Sequence, residues 1–377
     1  MISVTTAKSI LGDQEFERKV SRKPLVDAVG LVLADNVYAQ TDIPSFDQSS
    51  MDGYAFRFGD WQPGNTLKVV GKLPAGHSGG LQLQAGEAAR IFTGAPLPGG
   101  ADTVVMQEQT EVQGDLLNIL QTGLQQGDNK RTRGAEIRDG ELALEKGNLI
   151  TAGAAGFLAG TGCYEVTVYD MPSVAVVITG DELQQPGQAL PYGQVYEASS
   201  TMLRIALRQM GITDIQLYFA KDDPEETVAA LNKALRLCDV VLLTGGVSVG
   251  EFDFVVPAAA RCGVQQLFHR IKQRPGKPLY AGRKGNQPVF GLPGNPSSVL
   301  TCFFEYVWPV LRRLTGHGHQ LKVLAVPLSA PHHKTNQLTH FLKGYYADGR
   351  VTILPAQDSY RMRSFATANC LVALDEA

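Results

Sequence analysis

The sequence predicts a multidomain chain of the α/β-plus-β class, in which a doubly wound parallel sheet is joined to smaller β-rich parts. Three observations carry this. From Ser173 onward, apolar runs bounded by turns alternate with amphipathic helical stripes, the pattern of βαβ units. Residues 42–142 change to short alternating strands broken by Gly, Pro, Asn and Asp. Finally, 377 residues exceed what one ordinary core organises.

Residues 1–40 read as helical, with Leu25, Ala28, Val29, Leu31, Val32 and Leu33 on one apolar face. They form a mixed N-terminal domain, 1–41, completed by 143–172, where a helix over 152–160 and a strand over 165–169 are expected. Residues 42–142 are then an inserted, small β-barrel-like domain with strands such as 66–70 and 101–106. Residues 173–314 make the doubly wound domain, with strands over 174–178, 215–219, 240–243 and 288–290. Ser199 is placed to cap a helix whose stripe is Met202, Leu203, Ala206, Leu207 and Met210, closed by Gly211. Asp223 and Pro224 carry the cap-plus-first-turn signature of the next helix. Residues 315–377 read as a β domain with strands over 321–326, 351–354 and 370–374.

Composition narrows the function classes. With 44% hydrophobic and 19% charged residues the chain has a globular composition. A net charge of −3 offers no general attraction to nucleic acid or anionic membranes. No apolar run reaches the roughly 18 residues of a membrane span, and the first residues do not begin a signal peptide. Cys163, Cys238, Cys262, Cys302 and Cys370 are far apart and lack CxxC spacing, as expected of reduced core cysteines in a cytoplasmic protein. The histidines form no HxxxH or triad-like pattern, and neither a G-x-S-x-G elbow nor a Walker sequence occurs.

The chemistry is expected in three glycine-punctuated loops, each following a predicted buried strand. They begin at Thr179-Gly180-Asp181-Glu182, at Thr244-Gly245-Gly246-Val247-Ser248 and at Gly291-Leu292-Pro293-Gly294-Asn295. In an open parallel sheet such loops gather at the carboxyl edge, where ligands bind. Glycine lets backbone N–H groups approach an anion, and a helix start adds positive dipole. Glu182 and Asp253 lie on these loops, and Asp222 sits just outside the Asp223 cap. The basic segment Arg274-Pro275-Gly276-Lys277 is near in sequence. Together they point to a phosphorylated ligand held partly through a divalent cation. Taken singly, each carboxylate reads equally well as a solvated loop residue and each cation as a surface charge.

Six motifs occur in a fixed order: DIPSFDQSSMDGYA (42–55), RIFTGAP (90–96), TGDEL (179–183), GGVSVG (245–250), PGKP (275–278) and GLPGNP (291–296). Over nearly the whole chain this resembles the MoeA/gephyrin-type molybdopterin molybdenumtransferases. The resemblance implies a homodimer of four-domain subunits that inserts molybdate into the dithiolene of adenylated molybdopterin, with Mg2+ and loss of AMP. A molybdopterin adenylyltransferase is the implied donor of that substrate. By motif, Asp52 and Thr93 come from the barrel side. Glu182, Asp222 and Asp253 are the implied metal-holding and catalytic carboxylates. Gly245, Gly246, Ser248, Arg274 and Lys277 would bind the cofactor, with Pro293 and Pro296 shaping the site, while Ser298 and Ser359 match positions associated with molybdate.

Four departures stand out. Glu136 replaces the acid expected as Asp, and Glu197-Ala198-Ser199 stands for Asp-x-Asn. Lys343 stands for an arginine that would face the oxyanion, losing the bidentate fork. The strand pattern also ends sooner than in the family. Two other functions therefore stay open on sequence: a non-catalytic molybdopterin-binding or scaffold protein that keeps the fold, and molybdopterin adenylyl transfer.

Overall fold

The computed structural model describes residues 1–76, 80–248, 254–318, 322–334 and 336–376. By internal contacts the chain divides into two compact units, one of residues 1–21, 30–34 and 167–377 and the other of 22–29 and 35–166. This is coarser than the four-part expectation.

The larger unit is built on a six-stranded sheet. In chain order its elements are α1 (Val4–Gly12), β1 (Val174–Thr179), α2 (Ser199–Gln209), β2 (Ile215–Ala220), α3 (Pro224–Leu237), β3 (Val240–Thr244), α4 (Val255–Arg261), β4 (Gln265–His269), β5 (Gln273–Arg274), β6 (Tyr280–Lys284), β7 (Gln287–Leu292) and α5 (Pro296–Cys302). Strand order is β2-β1-β3-β7-β6-β4, with the first four parallel, β6 antiparallel to β7 and β4 antiparallel to β6. All six residues of β1 are buried, as a strand covered on both faces requires. Val174, Val176 and Ile178 face a core shared with α1, α2 and α5, while Ala175 and Val177 face α3 and α4. The period-2 alternation thus supplies both helical layers. The four expected strands are all present.

Helix starts follow local chemistry. Asp223 accepts from the N–H groups of Glu225 and Glu226, both at 2.9 Å, with Pro224 in the first turn. Ser199 does not cap α2. The helix begins one residue after Ala198, and the Glu197 carboxylate accepts from the Ser200 N–H at 2.8 Å and from its hydroxyl. The longer glutamate arm reaches the orphan donor that a serine cap would have taken.

A second sheet completes this unit. β8 (Thr339–Ala347) pairs antiparallel with β9 (Arg350–Ile353) and β10 (Cys370–Leu374) and parallel with β5. Sequence reading missed β8, because Gly344 and the buried Lys343 interrupt its apolar alternation. A Cβ at Gly344 would lie 2.7 Å from Val372 Cγ2, so glycine is what lets β10 close against it. The strand expected over 321–326 is absent from its described part, 322–326, where Val323 is 87% exposed.

The helical reading of residues 1–40 holds only in part, since Val4–Gly12 is a helix but Val20–Pro24 is a strand. Of residues 25–33 only Leu25–Ala28 is helical; Gly30 takes φ 86°, and Leu33 pairs as an extended residue with Val168. In the smaller unit the main feature is a six-stranded sheet, ordered Thr103–Met106, Gly53–Phe56, Glu87–Ile91, Thr66–Leu73, Leu116–Ile119, Thr110–Gln113. Its pairings are antiparallel except that of Thr66–Leu73 with Glu87–Ile91. Ala55 and Phe56, like Val104 and Val105, pack into separate apolar clusters. The helix Ala152–Gly160 falls where expected.

Candidate active site

Because β1, β3 and β7 are parallel neighbours, the loops that follow them leave the sheet at one edge. Thr179 at the end of β1 donates its hydroxyl to the Thr244 carbonyl at the end of β3, at 3.1 Å, which ties the first two loops together. Gly245 has φ 87°, and a Cβ there would lie 2.7 Å from the Thr179 carbonyl. Glycine at this position is a condition of the loops' closeness. The edge opens into a cavity of about 740 Å³, large enough for a drug-sized ligand.

One wall carries the predicted loop residues Glu182, Gly245, Ser248 and Pro293. A smaller recess of about 260 Å³ shares these four residues and adds Asp222 and Gly246. Glu182 is exposed and Asp222 half-buried. Asp181 and Asp222 each accept the other's backbone N–H at 3.3 Å, which fixes Asp222 through one oxygen. Asp253 lies outside the described residues.

A second wall of the same cavity is formed by the Arg274–Pro278 loop, the start of α5 and the tail segment 357–360, which bring Arg274, Lys277, Pro296, Ser298 and Ser359 to it together with Asp358. The Asn295 side-chain amide donates to the Ser359 hydroxyl at 3.1 Å, joining α5 to the tail. Ser298 is only 3% exposed and its N–H is spent on the Asn295 carbonyl.

Lys343 departs from expectation, because it is not on the cavity wall. It is fully buried, and Nζ donates to the Gln357 carbonyl at 2.9 Å and to Ser297 Oγ at 3.2 Å, with the Phe365 ring 5.7 Å away. Burial lowers its pKa, opposed by the charge of Asp358. Its donors are engaged in bracing the tail against α5.

Asp52, Thr93 and Glu136 belong to the smaller unit. A Cβ at Gly53 would sit 1.9 Å from the Val105 carbonyl, so the Asp-Gly step is what admits this strand. Gly53 pairs with Ile91, which sets Asp52 beside the residues following that neighbouring strand. Asp52 Oδ1 accepts from the Thr93 N–H at 2.8 Å and its hydroxyl at 2.9 Å. These bonds, the backbone one foremost, hold the Asp52 carboxyl below the ordinary carboxylate range. Glu136 is exposed, and its N–H bonds to the Ile43 carbonyl at 2.9 Å.

Sequence reading missed the residues behind the basic wall: Gln273, Tyr306 and Gln357. Their signal was weak, since an isolated Gln or Tyr beside a motif looks like any other core or surface residue. The one hint was Gln273 directly preceding the Arg274–Lys277 segment.

Comparison with known proteins agrees along the chain. Residues 2–162 match the MoeA N-terminal region (domain I and II), 175–313 the probable molybdopterin binding domain, and 325–377 the MoeA C-terminal region (domain IV). A molybdopterin molybdenumtransferase of Haemophilus influenzae is 32% identical over 384 residues, covering 100% of this chain and 95% of its own. One from Staphylococcus aureus (strain Mu50) is 33% identical, covering 99% and 91%. The crystal structure of a molybdopterin biosynthesis MoeA protein from Pyrococcus horikosii superposes with a TM-score of 0.88 at 29% identity, covering 100% of this chain and 95% of that one. With relatives of this similarity matched over nearly their whole length, the chain belongs to the molybdopterin molybdenumtransferase family.

Proposed function

We infer that the protein is a transferase of molybdenum cofactor biosynthesis, which inserts molybdate into molybdopterin presented as its adenylate and releases AMP. The observation that carries this reading is one cavity lined by Glu182 together with the basic residues Arg274 and Lys277 and the hydroxyl residues Ser298 and Ser359. Anionic substrate groups suit the second wall. In this reading Arg274 and Lys277 hold phosphate, and Ser298 and Ser359 receive molybdate.

Among the described residues, no three His, Cys, Asp or Glu side chains converge as a metal set. Mg2+ nevertheless suits Glu182 and Asp222, because it keeps several waters and takes one or two carboxylates plus substrate phosphates. When bound, it would neutralise phosphate charge as AMP departs. Asp253 is assigned to the same set on its motif alone. Asp52 and Thr93 are assigned a supporting catalytic role, with Glu136 beside them in the assignment. The proposal includes a homodimer, which light scattering tests, and delivery of substrate by an adenylyltransferase.

Two departures that kept a non-catalytic reading open are absorbed by the fold. Glu197 serves as the helix-start acceptor, and Lys343 serves as an internal brace. Glu197 and Ser199 themselves line the cavity, where Ser199 offers a hydroxyl in place of the expected amide. The test is incubation with adenylated molybdopterin, molybdate and Mg2+. AMP release with active cofactor is expected; tight binding without AMP release would establish a scaffold, and consumption of ATP by the protein alone an adenylyltransferase.

A further inference from the structure

We propose that Gln273 is a positioning residue that turns two consecutive backbone N–H groups, those of Gly276 and Lys277, toward the cavity as an oxyanion seat. The seat would take a phosphate or a molybdate, and its place in catalysis rests on the function inferred above.

Gln273 is fully buried on β5, immediately before the basic loop. Its amide nitrogen donates to the Pro275 carbonyl at 3.0 Å, to the Gly276 carbonyl at 3.2 Å and to Cys302 Sγ at 3.5 Å. Its amide oxygen accepts the Tyr306 hydroxyl. Burial raises the Tyr306 pKa, so the phenol keeps its proton and stays the donor. That bond fixes which end of the amide faces the loop. Gly276 is held further by the Leu279 N–H and the Cys302 thiol, both directed at its carbonyl.

Two carbonyls drawn inward have a geometric consequence. The peptide bonds following Pro275 and Gly276 are trans, and in a trans peptide the N–H points opposite the C=O. The N–H groups of Gly276 and Lys277 therefore point away from Gln273, out of the buried cluster. Among the described residues neither has a protein acceptor, although both residues line the cavity. Gly276 reaches this arrangement only at φ 87°, and a Cβ there would lie 2.4 Å from Cys302 Sγ. Adjacent N–H groups aimed at one point make an anion-binding concavity, here with the Lys277 ammonium beside it.

The experiment is calorimetric titration of the full-length protein with molybdate alone and with AMP alone, comparing the parent, Gln273→Met and Tyr306→Phe. Gln273→Met keeps the shape and removes the donors. It should weaken one of the two probes by roughly ten- to a hundredfold, the range for lost hydrogen bonds to a charged group. Whichever probe suffers identifies the seat's occupant. Tyr306→Phe keeps the Gln273 donors but frees its amide, so the same probe should lose affinity by a smaller factor. In turnover, KM for the anionic substrate should rise with kcat little changed, the signature of lost uniform binding; a loss of folded protein would lower kcat instead. Parent-like affinity for both probes in Gln273→Met overturns the proposal, as does parent-like affinity in Tyr306→Phe should Gln273→Met not fold. A parent that binds neither probe overturns it too. If the parent releases AMP while Gln273→Met binds normally, only this inference falls. If the parent releases none while the variants lose oxyanion affinity, the seat stands and the enzymatic reading falls.

Discussion

The two walls of the cavity are built in opposite ways. On the carboxylate wall, Glu182 is exposed and, among the described residues, Asp222 is held by two long bonds with Asp181. On the basic wall every segment is braced from behind, by Gln273 and Tyr306 under the loop and by Lys343 and Gln357 under the tail. A hydrated cation brings its own waters and tolerates adjustable ligands. An oxyanion must be met by donors already in place, because ordering them at binding costs affinity. The difference teaches that this site spends its rigidity on the anions.

The strongest way to break that comparison is at Asp222. Asp222→Asn keeps the size and the oxygen that accepts from Asp181, and removes the charge. If the carboxylate wall serves a cation, AMP release should fall by roughly a hundred- to a thousandfold, the cost of losing one such electrostatic group. The thermal midpoint should stay close to the parent's, since such surface-loop changes usually stay within about 0.5 kcal/mol. A rate near the parent's removes Asp222 from the metal set.

Lys277→Ala probes the other wall at its exposed tip. Loss of a charge-assisted contact should weaken binding of the anionic substrate by roughly tenfold or more. The deficit should narrow as inorganic phosphate is added, because the variant, left with Arg274 and neutral donors, binds the competing phosphate less tightly as well. A deficit insensitive to added phosphate would place Lys277 outside the anion's reach.

Lys343→Met sharpens the contrast between bracing and binding. Ser297 Oγ and the Gln357 carbonyl lose their donor, at about 1–3 kcal/mol for each acceptor left unpaired, partly offset because no ammonium need be desolvated. A lower thermal midpoint is expected, with a smaller loss of oxyanion affinity than in Lys277→Ala. The pH dependence has a definite sign. Burial lowers the folded-state pKa of Lys343 from its ordinary 10.5. Between that lowered value and 10.5 the unfolded chain binds more protons, so this residue makes stability rise with pH. Denaturant titrations of parent and variant should diverge across that window, the parent gaining; parallel curves would mean that Lys343 carries no penalty for its burial.

What was legible in the sequence follows the same division. The parallel strands, the Asp223 cap and the three loops were readable because periodicity, capping and glycine punctuation act over a few residues. Glu182, Asp222 and Lys277 were readable from motifs at strand ends. The bracing residues were not. Gln273 and Tyr306 are 33 positions apart, and Lys343 and Ser297 are 46 apart, so only the fold brings each pair together. A lysine beside a glycine gives no sign of whether its ammonium faces a ligand or a carbonyl. The same blindness misplaced the cap of α2, where a glutamate two residues upstream of Ser199 took the role.

Asp222 and Asp223 offer the finest cut, since adjacent aspartates are assigned to function and to folding. Asp223 Oδ1 satisfies the N–H groups of Glu225 and Glu226 at the start of α3, two of the donors that no residue within the helix can pair. Asp223→Ala should cost about 1 kcal/mol of stability. The charge also matters, because a negative group at a helix start is favoured by the helix dipole, worth about 0.3–1 kcal/mol. Asp223→Asn keeps the acceptor and loses only that part, so its midpoint should fall between the parent's and that of Asp223→Ala. Neither change touches the cavity edge directly, and AMP release by the folded fraction should stay near the parent's. The Asp222 variant is expected to show the reverse, with a parent-like midpoint and little turnover. If Asp223→Ala instead abolished turnover without moving the midpoint, the cap and the site would be one device, and the assignment of these neighbours to separate tasks would fail.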